Sequence, residues 1–207
     1  MSTRQFQVNP PSRPAGPITP ADEAMLDGLQ HSAFQYFLRN TDPDNGLVAD
    51  TSREGSPASI AVIGLALSAY PVAVERGWIT RPQAVQHSLR VLRFLAHSDQ
   101  SGGPEATGYR GFYYHFLDMP HGKRVWKSEL SLIDTALLIA GVLTTAAYFK
   151  GSTEDESALR GLADALYRRV EWRWAGNPSV VFCVTGGRVT ARHCCCMCSG
   201  WDHQRMH

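Results

Sequence analysis

Between Tyr109 and Asp134 the chain concentrates side chains able to bind and cleave: Tyr109, Arg110, Tyr113, Tyr114, His115, Asp118, His121, Lys123, Arg124, Trp126, Glu129 and Asp134. Aromatic faces beside carboxylates and a guanidinium suit a sugar. Pyranose C–H faces stack on rings, hydroxyls bridge to charged groups, and two carboxyls supply acid and base. Plainer readings stand beside this one. Glu129 follows Ser128 at a predicted helix start, where the dipole favours a carboxylate anyway. Asp134 inside an apolar helix is costly unless paired, so it is either a buried structural acceptor or a site residue. His115 between aromatics reads as a hydrogen-bonded hairpin residue rather than a base. Five positions apart on one helix, Glu129 and Asp134 are expected to point to different faces and not to share a substrate directly.

Other motifs carry less. Asp42-Pro43-Asp44-Asn45-Gly46 lacks the spaced ligands and terminal Glu of a Ca²⁺ loop and reads as a turn. Gly102, Gly103, Gly108 and Gly111 match no phosphate-loop spacing. Twenty Lys and Arg against nineteen Asp and Glu give no field to attract nucleic acid or an anionic membrane, and neither partner is expected. No basic stretch followed by an apolar run opens the chain, so no signal peptide is visible and the cytoplasm is the default location.

Five helices are predicted to position these residues: 20–38, 58–76, 81–97, 129–150 and 154–172. The first, third and fifth are amphipathic, with stripes Leu26-Leu29-Ala33-Phe37, Val85-Leu89-Leu92-Ala96 and Leu159-Leu162-Leu166-Val170. The second and fourth are apolar nearly all round, which requires burial on every side. Amphipathic and buried helices in strict turn predict two concentric layers, a helical toroid or solenoid rather than a four-helix bundle. Two connections are long, 40–57 and 98–128, and long loops in a compact helical domain tend to carry function. The aromatic alternation of Gly111–Met119 predicts a small β-hairpin in the loop before the fourth helix. Residues 1–19, with Pro10, Pro11, Pro14 and Pro17, read as a disordered leader, and 20–174 as the helical domain.

The segments SIAVIGLALSAYPVAVERGWITRPQA (Ser59–Ala84), GFYYHFLDMPHGKR (Gly111–Arg124) and ELSLIDTALLIAGVL (Glu129–Leu143) resemble the bacterial glucoamylase-like family that includes endo-β-1,2-glucanases. FQYFLRNTDPDNGLVAD (Phe34–Asp50) and LADALYRRVEWRW (Leu162–Trp174) fit as well. The resemblance implies an all-α (α/α)6 toroid, here about half of the ring, and hydrolysis of a β-glucan, expected to be β-1,2-linked, by general acid and base carboxylates in a single displacement. It implies no cofactor, and the residues themselves give no expectation of a metal ligand in this region. It singles out Glu129 first and Asp118 second as catalytic carboxylates, without dividing the acid and base roles between them. It puts Tyr113, His115, Arg124 and Trp126 around the sugar, with Asp134 in support. Many family members are exported. A half-ring predicts exposed apolar faces on the inner helices and little activity from this chain alone.

Past Trp174 the pattern breaks. All five cysteines, Cys183, Cys194, Cys195, Cys196 and Cys198, lie in 175–207. Joining the third base of each codon to the next two turns Cys194–Cys196 into three leucines. Permitted codons also restore the family's Gly-Trp-x-Pro-Glu-x-Gly-Phe and Glu-Ala-Leu-Leu-Leu-Tyr blocks. The tail is therefore expected to be a disordered, frameshifted reading. Two other functions stay open: a non-catalytic helical carbohydrate-binding module, and a metal-binding protein using the Cys and His of the tail. The oligomeric state is not legible.

Overall fold

The computed structural model describes residues 17–176 of the 207-residue chain, so residues 1–16 of the leader and 177–207 of the tail, with all five cysteines, lie outside the described residues. Helix α1 (Pro20–Arg39) opens with a capping box. Thr19 Oγ1 accepts from the Asp22 N–H, the Asp22 carboxylate accepts from the Thr19 N–H, and a proline sits in the first turn. Helix α3 (Arg81–His97) repeats the device with Thr80, Gln83 and Pro82. Helix α5 (Glu154–Arg169) is capped by Thr153 and carries acids in its first turn and arginines in its last, matching the dipole at both ends.

The inner helices start later than their apolar patterns predict. Strand β1 (Ala58–Ser59) runs straight into α2 (Ile60–Glu75). Beyond it lie β2 (Gly108–Tyr109), β3 (Phe112–Tyr114), β4 (Phe116–Leu117) and β5 (Leu130–Ser131), and β5 leads into α4 (Leu132–Tyr148). The pairs β1–β4, β2–β3 and β3–β5 are all antiparallel. Residues just ahead of α2 and α4 are thus consumed by sheet pairing. The hairpin β2–β3 turns on Arg110 and Gly111, both at positive φ, the two-residue geometry that matches strand twist. The last predicted helix is also split: α5 stops at Arg169, and α6 (Trp172–Ala175) is a separate turn.

Helix α2 packs mainly on α4 and α3 on α5, with lesser contacts between α2 and α3 and between α4 and α5, which is the two-layer order expected. Two features seal the inner pair. Gly64 and Gly141 let the backbones meet, for a Cβ on Gly141 would lie 2.1 Å from the Gly64 carbonyl oxygen. Pro71 lies inside α2 and has no N–H, so the Leu67 carbonyl loses its helical partner. Buried Thr145 of α4 donates its hydroxyl to that oxygen at 2.8 Å.

The stripes of α3 and α5 are largely interior: Val85, Leu89, Leu92, Leu159, Leu166 and Val170 are buried. The stripe of α1 is not. Leu26 and Leu29 stay exposed and Phe34 is the buried residue, because little of α1 except its C-terminal half meets another described element. Apolar faces also stand open on α2 (Leu65, Val72) and α4 (Ile133, Leu137, Leu143). Among the described residues no helix is long and apolar enough to cross a membrane.

Glu156 is an interior charge, 4% exposed. It accepts from Arg81 Nε and Nη2 at 2.7 and 2.9 Å and from the Gly151 N–H. The Arg81 guanidinium, helped by that N–H, holds the carboxyl below its ordinary value of 4.5. The folded state therefore binds this proton less readily than the unfolded chain. Its contribution is complete above about pH 4.5 and is lost as pH falls through the lower folded value. Urea melts of wild type should weaken in that acid range, and Glu156→Gln should flatten the decline. At neutral pH the substitution should cost about 2 kcal/mol, less than for a fully enclosed pair because Arg81 is 40% exposed. Parallel pH profiles for the two proteins would rule the account out.

Candidate functional site

Two small sheets, β1–β4 and β2–β3–β5, lead into the N-terminal ends of α2 and α4 and set the candidate site. His115 follows β3, and its N–H donates to the Glu129 carbonyl at 3.0 Å. Ser131 caps α4 by accepting from the Asp134 N–H, so Asp134 occupies the first turn, where a carboxylate is favoured. Glu129, before β5, is not helical. The geometry predicted from a common helix is therefore overturned: His115 Nδ1 lies 2.8 Å from Glu129 Oε1 and 3.6 Å from Asp134 Oδ2. All three side chains are half-buried, and their ligating atoms lie within 4.8 Å of one another. With the imidazole N–H on Nδ1, Glu129 Oε1 accepts at 2.8 Å, which leaves Oε2 as the oxygen able to carry a proton. One imidazole and two carboxylates are also donors a divalent ion can use, although that hydrogen bond accounts for the arrangement without one.

Aromatic faces extend the cluster. His115 stacks on Phe116 with centroids 3.8 Å apart, and Phe116 meets the Trp126 ring at 5.4 Å. Trp126 is 73% exposed. It and Lys127 have φ of 54° and 50°, a left-handed conformation costing about 1–2 kcal/mol per non-glycine residue. The strand pairing explains the excursion. Leu117 opposes Arg124 and Tyr114 opposes Leu130, with only 115–116 between them on one strand and 125–129 on the other. The surplus leaves the ladder as a tight turn, as bulges beside sites do.

Three expected site residues fall elsewhere. Tyr113 is 1% exposed, with its phenol between the Leu95 carbonyl and the Arg169 guanidinium. Burial pushes that phenol up despite Arg169, and Tyr113 is a core residue rather than a sugar-facing one. Asp118 accepts from the His121 and Lys123 N–H groups through its two oxygens, so it staples its own loop. Arg124 donates to the Ser128 and Lys127 carbonyls and lies 4.1 Å over the Tyr114 ring. A cavity of about 790 Å³ is lined by His121 and Lys123 of this loop together with Arg90, Arg93, Phe94 and His97 of α3. The pattern Ser131-x-x-Asp134 was the signal for the true helix start, whereas the meeting of Glu129 and Asp134 needs the long-range pairing of β5 with β3. Phe116, the link between His115 and Trp126, carried no comparable signal.

No family model matches the chain. An exo β-1,2-glucooligosaccharide sophorohydrolase (non-reducing end) of Parabacteroides distasonis is 31% identical over 163 residues, 74% of this chain and 21% of that protein. A glucoamylase-like protein of Bacteroides uniformis has a similar structure, with a TM-score of 0.69 and 26% identity over 78% of this chain and 39% of that one. So has an endo-β-1,2-glucanase of Chitinophaga pinensis in complex with sophorotriose and glucose, with a TM-score of 0.62 and 25% identity over 73% and 37%. The chain thus spans well under half the length of each. The described elements form an incomplete (α/α)6 toroid, and the homologues and structural neighbours of this chain are glucoamylase-like proteins and β-1,2-glucan hydrolases, each matched over part of its length.

Proposed function

We propose that this chain is part of a glycoside hydrolase acting on a β-glucan, with β-1,2-linked glucose as the substrate and Glu129 as the acid. The observation that carries this is the meeting of Glu129, Asp134 and His115 within 4.8 Å, beside an exposed Trp126. The activities of the relatives supply the substrate class. Glu129 gives its proton to the glycosidic oxygen, and the imidazole fixes the carboxyl by its bond to Oε1. Asp134 supports His115 from the other side.

Asp134 is too near Glu129 to be its partner in a single displacement. A water between two carboxyls needs roughly 6.5–9.5 Å, and these oxygens are within 4.8 Å. Asp118 is tied into its loop. With neither of these two as base, this reading takes the group that activates water from a part of the toroid that the described residues do not supply; the chain matches 21% of one relative and 39% of another. On this reading the isolated chain binds a glucan without turning it over well. Titration with sophorotriose should give saturable binding, weakened about tenfold by Trp126→Ala as the stacking face is lost. Absence of binding at millimolar sugar, or equal binding by the variant, sinks the proposal.

A further inference from the structure

We propose that Arg124 is a positioning residue, a latch that holds Trp126 out beside the His115–Glu129–Asp134 cluster, and not a ligand of the sugar. The inference rests on the site reading above for its purpose, though its geometry stands without it. Ser128 N donates to Val125 O at 2.9 Å, closing a turn whose two central residues, Trp126 and Lys127, are both left-handed. Such turns are ordinarily filled by Asn-Gly or Gly-Gly, since a Cβ resists positive φ. Two long side chains keep this conformation only when their surroundings impose it.

Arg124 does most of the imposing. Its Nε donates to Ser128 O at 2.6 Å and its Nη2 to Lys127 O at 2.8 Å, the carbonyls at the far end of the strained pair. The guanidinium lies 4.1 Å over the Tyr114 ring, which fixes it from behind. Ser128 Oγ adds bonds to the N–H and C=O of Phe116. A fork of this shape is a property of Arg and not of Lys. The consequence is at the tip: an indole left 73% exposed against the Phe116 edge, next to the stacked His115. Strain imposed to expose an aromatic face is intelligible if that face receives a ligand.

The test compares wild type, Arg124→Gln, Lys127→Gly and the double variant in the full chain. It reads amide hydrogen exchange at Ser128, affinity for sophorotriose, and the thermal midpoint. Arg124→Gln should lower Ser128 protection and sophorotriose affinity, each at least roughly tenfold. Glycine accepts positive φ freely, so adding Lys127→Gly should restore both. Lys127→Gly alone should raise the midpoint. A guanidinium that touched sugar could not be replaced by a glycine at position 127, so affinity that stays low while protection returns would overturn the latch. Unchanged protection in Arg124→Gln, or a lower midpoint in Lys127→Gly, would overturn it too. If wild type fails to bind sophorotriose, the proposed function falls, and the latch is judged on exchange and midpoint alone.

Discussion

Alanine at Gly141 should destabilise the protein by about 3 kcal/mol, while alanine at Gly161 should stabilise it by about 0.5 kcal/mol. The chemical change is identical, and only the surroundings differ. At Gly141 the new methyl would sit 2.1 Å from the Gly64 carbonyl oxygen and 2.8 Å from the Gly64 Cα. That is more than an ångström inside van der Waals contact, and the obstacle is backbone, which cannot swing aside. Helices α2 and α4 must part, loosening contacts along their length and stretching the Thr145–Leu67 bond of 2.8 Å. Gly161 of α5 has nothing within 4 Å of a would-be Cβ, and alanine there trims the freedom of the unfolded chain. Urea unfolding of both variants measures the two signs. A Gly141→Ala protein within 0.5 kcal/mol of wild type, the usual scatter of neutral changes, would mean that the helices do not pack this closely.

The second large effect is chemical. In a hybrid where residues 20–174 replace the matching segment of the Parabacteroides distasonis relative, Glu129→Gln should cut turnover about 10²–10⁴-fold, with little change in KM. Glutamine retains the shape of the side chain and an oxygen that accepts from His115 Nδ1, so the cluster persists and only the transferable proton is lost. Asp118→Asn should reduce turnover far less, since that carboxylate serves its own loop. Hydrolysis of β-1,2-gluco-oligosaccharides by the hybrid is the assay. Full turnover by the Glu129→Gln hybrid would put the acid on another residue. The same hybrid asks whether apolar faces such as Leu65 and Ile133 are covered when the rest of a ring is supplied.

The amino-acid order by itself determined the helices, their caps and their layering. Thr19, Thr80 and Thr153 start helices because local side-chain-to-backbone bonds suffice for that. The all-round apolar character of Ile60–Glu75 and Leu132–Tyr148 marked the inner pair, because burial depends chiefly on what a segment can hide from water. The density of aromatic and carboxylate residues between Tyr109 and Asp134 pointed to the candidate site, because these side-chain types are the ones that can bind and cleave a sugar.

Tertiary structure alone decided which of those residues meet. Extending the fourth helix back to Glu129 set Glu129 and Asp134 on different faces. Pairing of Leu130-Ser131 with Tyr113-Tyr114 breaks that helix and turns Glu129 onto the same imidazole as Asp134. Tyr113 went inward because both faces of β3 are covered, with Phe112, Tyr113 and Tyr114 all buried, and alternation along a strand does not say whether its second face is covered. The exposed stripe of α1 has the matching cause: periodicity says which face is apolar, and only a neighbour decides whether it is covered. Pairing and coverage are long-range, set by residues far apart in the chain, and a local pattern does not contain them.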